Sequence, residues 1–104
     1  MIKVSVLYPN KPEAKFDHDY YANQHMKMAI EKLGPMGLVK GEIDKGIGGV
    51  TAGSPPPYVA MGHMVFNSIE DFQKAFAAHG NEIMADVPNY TNIEPQIQIS
   101  EIVT

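Results

Sequence analysis

Residues 58–71 read YVAMGHMVFNSIED, and this stretch decides the fold. From Tyr58 to Phe66 it is apolar at odd and even positions alike, with His63 its only ionisable side chain. A strand covered on both faces reads this way, so it is expected at the centre of a sheet. Ser68 then offers a helix N-cap with Asp71 three residues on, the spacing of a capping box, and Glu70 favours the helix start.

Working outward, Ile69, Phe72, Phe76 and Ile83 recur on one face of that helix, with His79 close to it. Gly80 is expected to kink or interrupt the helix. Downstream, DVPNYTNIEP (86–95) is an exit loop, and from residue 96 Gln96, Gln98 and Ser100 alternate with Ile97 and Ile99 as a last strand. Upstream, GLVKGEID (37–44) is a weaker strand, and KGIGGVTAGSPPP (45–57) is a loop, read as a hairpin tip or an arm lying over a partner subunit. Its glycines resemble a phosphate cradle only superficially, because three prolines prevent a following helix.

At the start of the chain, Ile2, Val4, Val6 and Tyr8 alternate with Lys3, Ser5 and Leu7, and Pro9 ends the strand. Phe16 and Asp17 serve as lead-in and N-cap of a helix that runs to Leu33 and stops at Gly34-Pro35. The order strand, helix, strand, strand, helix, strand is the α+β, ferredoxin-like βαββαβ pattern, an antiparallel four-stranded sheet with both helices on one face. At 104 residues the chain is expected to be one domain, 1–104. The sheet face left bare by the helices is expected to carry apolar residues and so to pair in a homodimer.

A net charge of -4 with scattered lysines and no arginine argues against nucleic acid as a partner. No apolar run approaches the roughly 20 residues of a membrane span, and no export signal is visible, so a cytoplasmic home is expected. The absence of cysteine removes disulfides, thiol nucleophiles and thiolate metal sites. A small, largely apolar molecule is the expected ligand.

On a helical wheel Ala22, Met26, Ala29, Ile30 and Leu33 form the packing stripe of the first helix, with His18, Tyr21 and His25 along its flank. Tyr21 and His25 are four apart and therefore adjacent. Histidine exchanges protons near neutral pH, so His25 is the leading candidate to shuttle a proton or polarise a carbonyl, with Tyr21 beside it. In the exit loop, Asp86 can orient an imidazole and Tyr90 can donate to a substrate oxygen. Asp86 equally suits a helix end that satisfies backbone donors beside Pro88. Tyr8 and Tyr58 fall on strand faces where a pocket can lie. His18 and His25 stand about 10.5 Å apart along a helix by its 1.5 Å rise, too far to grip one ion, and no metal is expected. No flavin or nicotinamide fingerprint is present, so no cofactor is expected.

Two long segments carry a family likeness: VSVLYPNKPEAKFDHDYYANQHM (4–26) and HGNEIMADVPNYTNIEPQIQISEIV (79–103). The YPN after the first strand, the F-D-x-x-Y-Y-x-x-x-H of the first helix and the D-V-P-N-Y-T-N loop resemble the EthD family, associated with ethyl tert-butyl ether degradation. The resemblance covers nearly the whole chain, departing at Lys27 and Met28, where the family commonly has Pro-Leu. It implies a single EthD-like domain in a dimeric α+β barrel, two sheets packed through their open faces, with a pocket between each sheet and its helices. Similar barrels include polyketide cyclases, muconolactone isomerase and cofactorless monooxygenases, and EthD-like members are often labelled reductases. His79 resembles the family's second-helix histidine, although it equally suits the C-terminal dipole before Gly80. The expected site is then His25, Tyr21 and Asp86 as catalytic residues, with Tyr90, His79, Tyr8 and Tyr58 binding substrate. The expected function is acid–base chemistry on a small apolar oxygenated compound in a catabolic pathway. The alternative is a noncatalytic carrier of a degradation intermediate.

Overall fold

Alternating side chains along β1 (Ile2–Pro9) send Val4 and Tyr8 beneath the helices in the computed structural model, which describes every residue from Met1 to Thr104. With β2 (Leu38–Lys45), β3 (Tyr58–Phe66) and β4 (Gln96–Glu101) it forms one antiparallel sheet in the order β2-β3-β1-β4. The doubly apolar β3 lies inside the sheet, paired with β1 and β2. The fold is ferredoxin-like α+β, as the element order implies.

Helix α1 (His18–Tyr20) starts where the Asp17 side chain accepts the Tyr20 N–H at 3.0 Å. It continues through a π turn (Tyr21–His25) into α2 (Met26–Leu33). A short 3₁₀ turn at Gly34–Met36 follows, and the chain reverses at Gly37, whose φ of 106° suits glycine. Helix α3 (Ile69–Ala85) begins with Ser68 Oγ accepting the Asp71 N–H at 3.2 Å.

Two sequence expectations change. Gly80 does not break α3, which runs straight through it; the Phe76 ring lies 2.6 Å from where a Cβ would stand, so the glycine makes room for packing. In the first helix, Ile30 is 43% exposed, whereas Tyr21 and His25, expected on the flank, are buried at 2% and 5%. For Tyr21 and His25 the π turn is the cause: the Met26 N–H bonds Tyr21 O, one residue further back than in an α-helix, and the extra residue rotates the preceding turn by about 100°, whereas Ile30, beyond that turn, lies against Gly41 of the edge strand β2. The bare sheet face carries apolar residues, set among polar ones. On its middle strands Leu7, Met61 and Val65 alternate with Lys3, Ser5 and His63, while β2 contributes Lys40, Glu42 and Asp44, and β4 contributes Gln96, Gln98 and Ser100. The edge strands alternate polar residues toward that side.

The core divides in two. One cluster packs Val4, Leu33, Phe66, Phe72 and Ile83; the other packs Tyr8, Tyr21, Val87, Tyr90 and Ile93.

Candidate functional site

The two clusters do not close against each other, and a cavity of about 70 Å³ remains at their seam, between sheet and helices. Val4, Met64, Phe72 and Ile83 line it from one cluster; Tyr8, Tyr21, Met26 and Val87 line it from the other. Only His25 and the tyrosines bring polar atoms to its side-chain wall.

The His25 imidazole lies between two phenols, 5.6 Å from the Tyr21 ring in a stacked arrangement and 4.7 Å from the Tyr90 ring at a tilt. Its Nδ1 is 2.9 Å from Asp86 Oδ2. Asp86 sits at the C-terminal end of α3, outside the cavity lining, with 16% of its side chain exposed. Its other oxygen accepts the Tyr20 hydroxyl at 2.7 Å and the Asn89 Nδ2 at 2.8 Å. Burial pushes the Asp86 carboxyl upward, but hydrogen bonds from Asn89, Tyr20 and His25 outweigh it and hold the group below its ordinary range. Asp86 is therefore a carboxylate at neutral pH.

The second ring nitrogen of His25, Nε2, has no hydrogen-bond partner in the chain. No side-chain nitrogen or oxygen is sealed in without a partner, so Nε2 keeps some accessible surface, and His25 is among the residues that line the cavity. The hydroxyl of Tyr8, which lines the cavity, bonds that of Tyr90, which lies outside the lining, at 2.6 Å. The Tyr21 hydroxyl lies over Gly62, in the volume a Cβ would take, so only glycine fits at that point of β3. Burial, the largest cause in each case, pushes the Tyr8, Tyr21 and Tyr90 phenols up, and all three stay protonated.

The exit loop is fastened to the lead-in of α1. The Asp17 N–H donates to Tyr90 O at 2.8 Å, Thr91 Oγ1 donates to Lys15 O at 2.7 Å, and Asn92 Oδ1 accepts the Lys15 N–H at 2.9 Å. The loop thereby holds Asp86 and Tyr90 against His25 on the other segment.

Of the expected site residues, His25, Tyr21, Asp86, Tyr90 and Tyr8 come together. His79 does not: it is 31% exposed on the outer side of α3, 3.8 Å from Glu82. Tyr58 pairs with Pro9 at the end of the sheet and lines no part of the cavity. His18 also stays outside, its ring 4.7 Å from Phe16. No three histidine, aspartate or glutamate side chains converge as a metal cluster. Sequence reasoning assigned no role to Tyr20, Asn89 or Gly62. The first two are helical-turn neighbours of known candidates, a signal too common to single them out; for Gly62 the sequence holds no signal.

Fold and site together define a ferredoxin-like α+β protein with a histidine-bearing apolar cavity. Residues 11–94 match the EthD domain model, and the chain belongs to that family. It is 44% identical to an EthD-like protein from Ralstonia eutropha JMP134, covering 99% of this chain and 92% of that one with a TM-score of 0.93. An ethyl tert-butyl ether degradation (EthD) family protein from Bacillus halodurans C-125 shares 20% identity and a TM-score of 0.67, with 99% of each chain covered. A dimeric ferredoxin-like protein from an uncultured marine organism shares the fold at 12% identity and a TM-score of 0.57, covering 100% of this chain and 96% of that one. No functionally curated protein matches the chain.

Proposed function

We propose that this EthD-family chain is an enzyme that performs acid–base chemistry on a small, largely apolar oxygenated compound, with His25 carrying the proton. One observation carries the reading: a buried imidazole has one nitrogen tied to a carboxylate and the other free at an apolar cavity. In such a site Asp86 orients the ring and stabilises its protonated form, and Tyr21 donates to oxyanion charge that develops on the substrate. The lining suits a neutral ligand because it contains no lysine and no carboxylate.

The enzyme acts as a homodimer in the cytoplasm, pairing through the bare sheet face around Leu7, Met61 and Val65. Those side chains, with exposed Met1, Val39 and Ile102 beside Val65, support that pairing. No helix is long and apolar enough to cross a membrane. Labels such as reductase demand an electron carrier, and the acid–base reading needs none.

A thermal-shift screen of small oxygenated compounds identifies the occupant, and His25→Ala then separates roles. Catalysis predicts turnover falling by ~10²-fold or more with affinity held within a few fold. If affinity changes and no turnover is ever seen, the chain is a carrier.

A further inference from the structure

The hydrogen bonds around Asp86 determine which His25 nitrogen bears the proton. A carboxylate can only accept, and Asp86 already accepts from the Tyr20 hydroxyl and the Asn89 amide as well as facing Nδ1 of His25 at 2.9 Å. Nδ1 must therefore be the donor. In the neutral imidazole this leaves Nε2, on a residue that lines the cavity, as an acceptor without a partner in the chain. A neutral His25 of this tautomer cannot polarise a carbonyl by donating to it. It can accept a proton.

The rest of the wall narrows the ligand further. Tyr21, whose ring stacks on His25, brings its hydroxyl to the same wall at Gly62, and no cationic side chain lines the cavity to offset an anion. With the Asp86 carboxylate already behind the imidazole, a second negative charge would enter against it. The cavity of about 70 Å³ is roughly half the ~150 Å³ that suffices for benzene in an engineered apolar cavity, and its thioethers from Met26, Met64 and Met84 can give way.

Building on His25 as the proton carrier, we infer that the cavity selects a compact, uncharged proton donor of the phenol or enol class and takes its proton on Nε2. The substrate O–H bond breaks, its electron pair stays on oxygen, and a new N–H bond forms at Nε2. The resulting phenolate or enolate is held by the Tyr21 O–H, and the imidazolium by Asp86. A keto tautomer reaches the same enolate by giving up the C–H beside its carbonyl.

Phenol, toluene and benzoate test this, because the first two have nearly the same shape and differ in the O–H, while the third is an anion. Binding is followed by chemical-shift changes in the intact protein, with and without His25→Ala. Phenol is expected to bind at least about fivefold more tightly than toluene, the scale of one net hydrogen bond, and benzoate most weakly. In His25→Ala the preference for phenol over toluene disappears. Toluene binding as well as phenol, benzoate binding best, or no phenol binding at all overturns the ligand class. Nitrogen NMR of His25 in the wild-type chain removes dependence on the variant's folding. A neutral ring protonated on Nδ1 is expected. A ring protonated on Nε2 alone overturns both this inference and the proton-acceptor role of His25, whereas an Nδ1-protonated ring with no preference for phenol overturns the ligand class alone.

Discussion

Asp86 Oδ2 lies 2.9 Å from Nδ1 of His25, joining the end of α3 to the π turn of the first helix across 61 positions of sequence. The pair places a charged, partly exposed acceptor behind an enclosed imidazole. Most of what the site can do follows from that contact, and so does its response to acid.

Because Asp86 is held below its ordinary range in the folded chain, its contribution to stability is fully present above the unfolded carboxyl value of about 4. It fades as pH falls through the lower, folded value, since the unfolded state takes up the proton first. Asp86→Asn should therefore melt below wild type at pH 7, with the gap closing as the buffer is taken down past about pH 4. Melting curves across that range check it; a gap that stays constant would show that the carboxylate's hydrogen bonds do not supply the difference.

The Tyr21 hydroxyl and Gly62 compete for one volume. Gly62→Ala should cost about 1–3 kcal/mol, as overpacking does. Repeated in a Tyr21→Phe background, the same substitution should cost less than half as much. Urea denaturation of the four proteins measures the coupling, and additive costs would mean that the ring moves aside freely.

Tyr8 and Tyr90 share a hydrogen bond between hydroxyls in a buried setting. Removing one hydroxyl strands the other, so Tyr8→Phe or Tyr90→Phe should each cost about 1–3 kcal/mol. The double variant should cost clearly less than their sum, because no hydroxyl is then left unpaired. A sum without such coupling would show that water replaces the missing partner.

Leu7 and Met61 face each other across β1 and β3 on the bare side of the sheet. Under the proposed pairing, wild type should sediment as a dimer, and Leu7→Glu should shift it to monomer by burying an unpaired charge at the contact. A wild-type monomer at micromolar concentration would remove the dimer from the account.

The strands, both helix caps and the βαββαβ order are legible in the sequence because each rests on local signals: alternation in β1, the doubly apolar β3, and Asp17 and Ser68 at the helix starts. The adjacency of Tyr21 and His25 is legible for the same reason. Their depth is not, because a wheel drawn at 3.6 residues per turn has no place for a π turn and leaves Tyr21 and His25 on the flank. Long-range partners are equally hidden. That Asn92 and Thr91 fasten the exit loop to Glu13 and Lys15 depends on how the chain returns beside its own start, which no local pattern encodes. His79 and Tyr58 were drawn toward the site by likeness and by strand position, and the helix and sheet geometry turns them elsewhere.

Proton exchange at carbon tests the acid–base role of His25 most directly, because it needs no knowledge of the natural substrate. Cyclopentanone is small, apolar and uncharged, and in heavy water the C–H groups beside its carbonyl exchange at a rate set by the available base. Wild type should accelerate that exchange by ~10²-fold or more over His25→Ala, the scale of a positioned general base. Equal rates for the two proteins, with cyclopentanone shown bound in the wild-type cavity, would contradict the account.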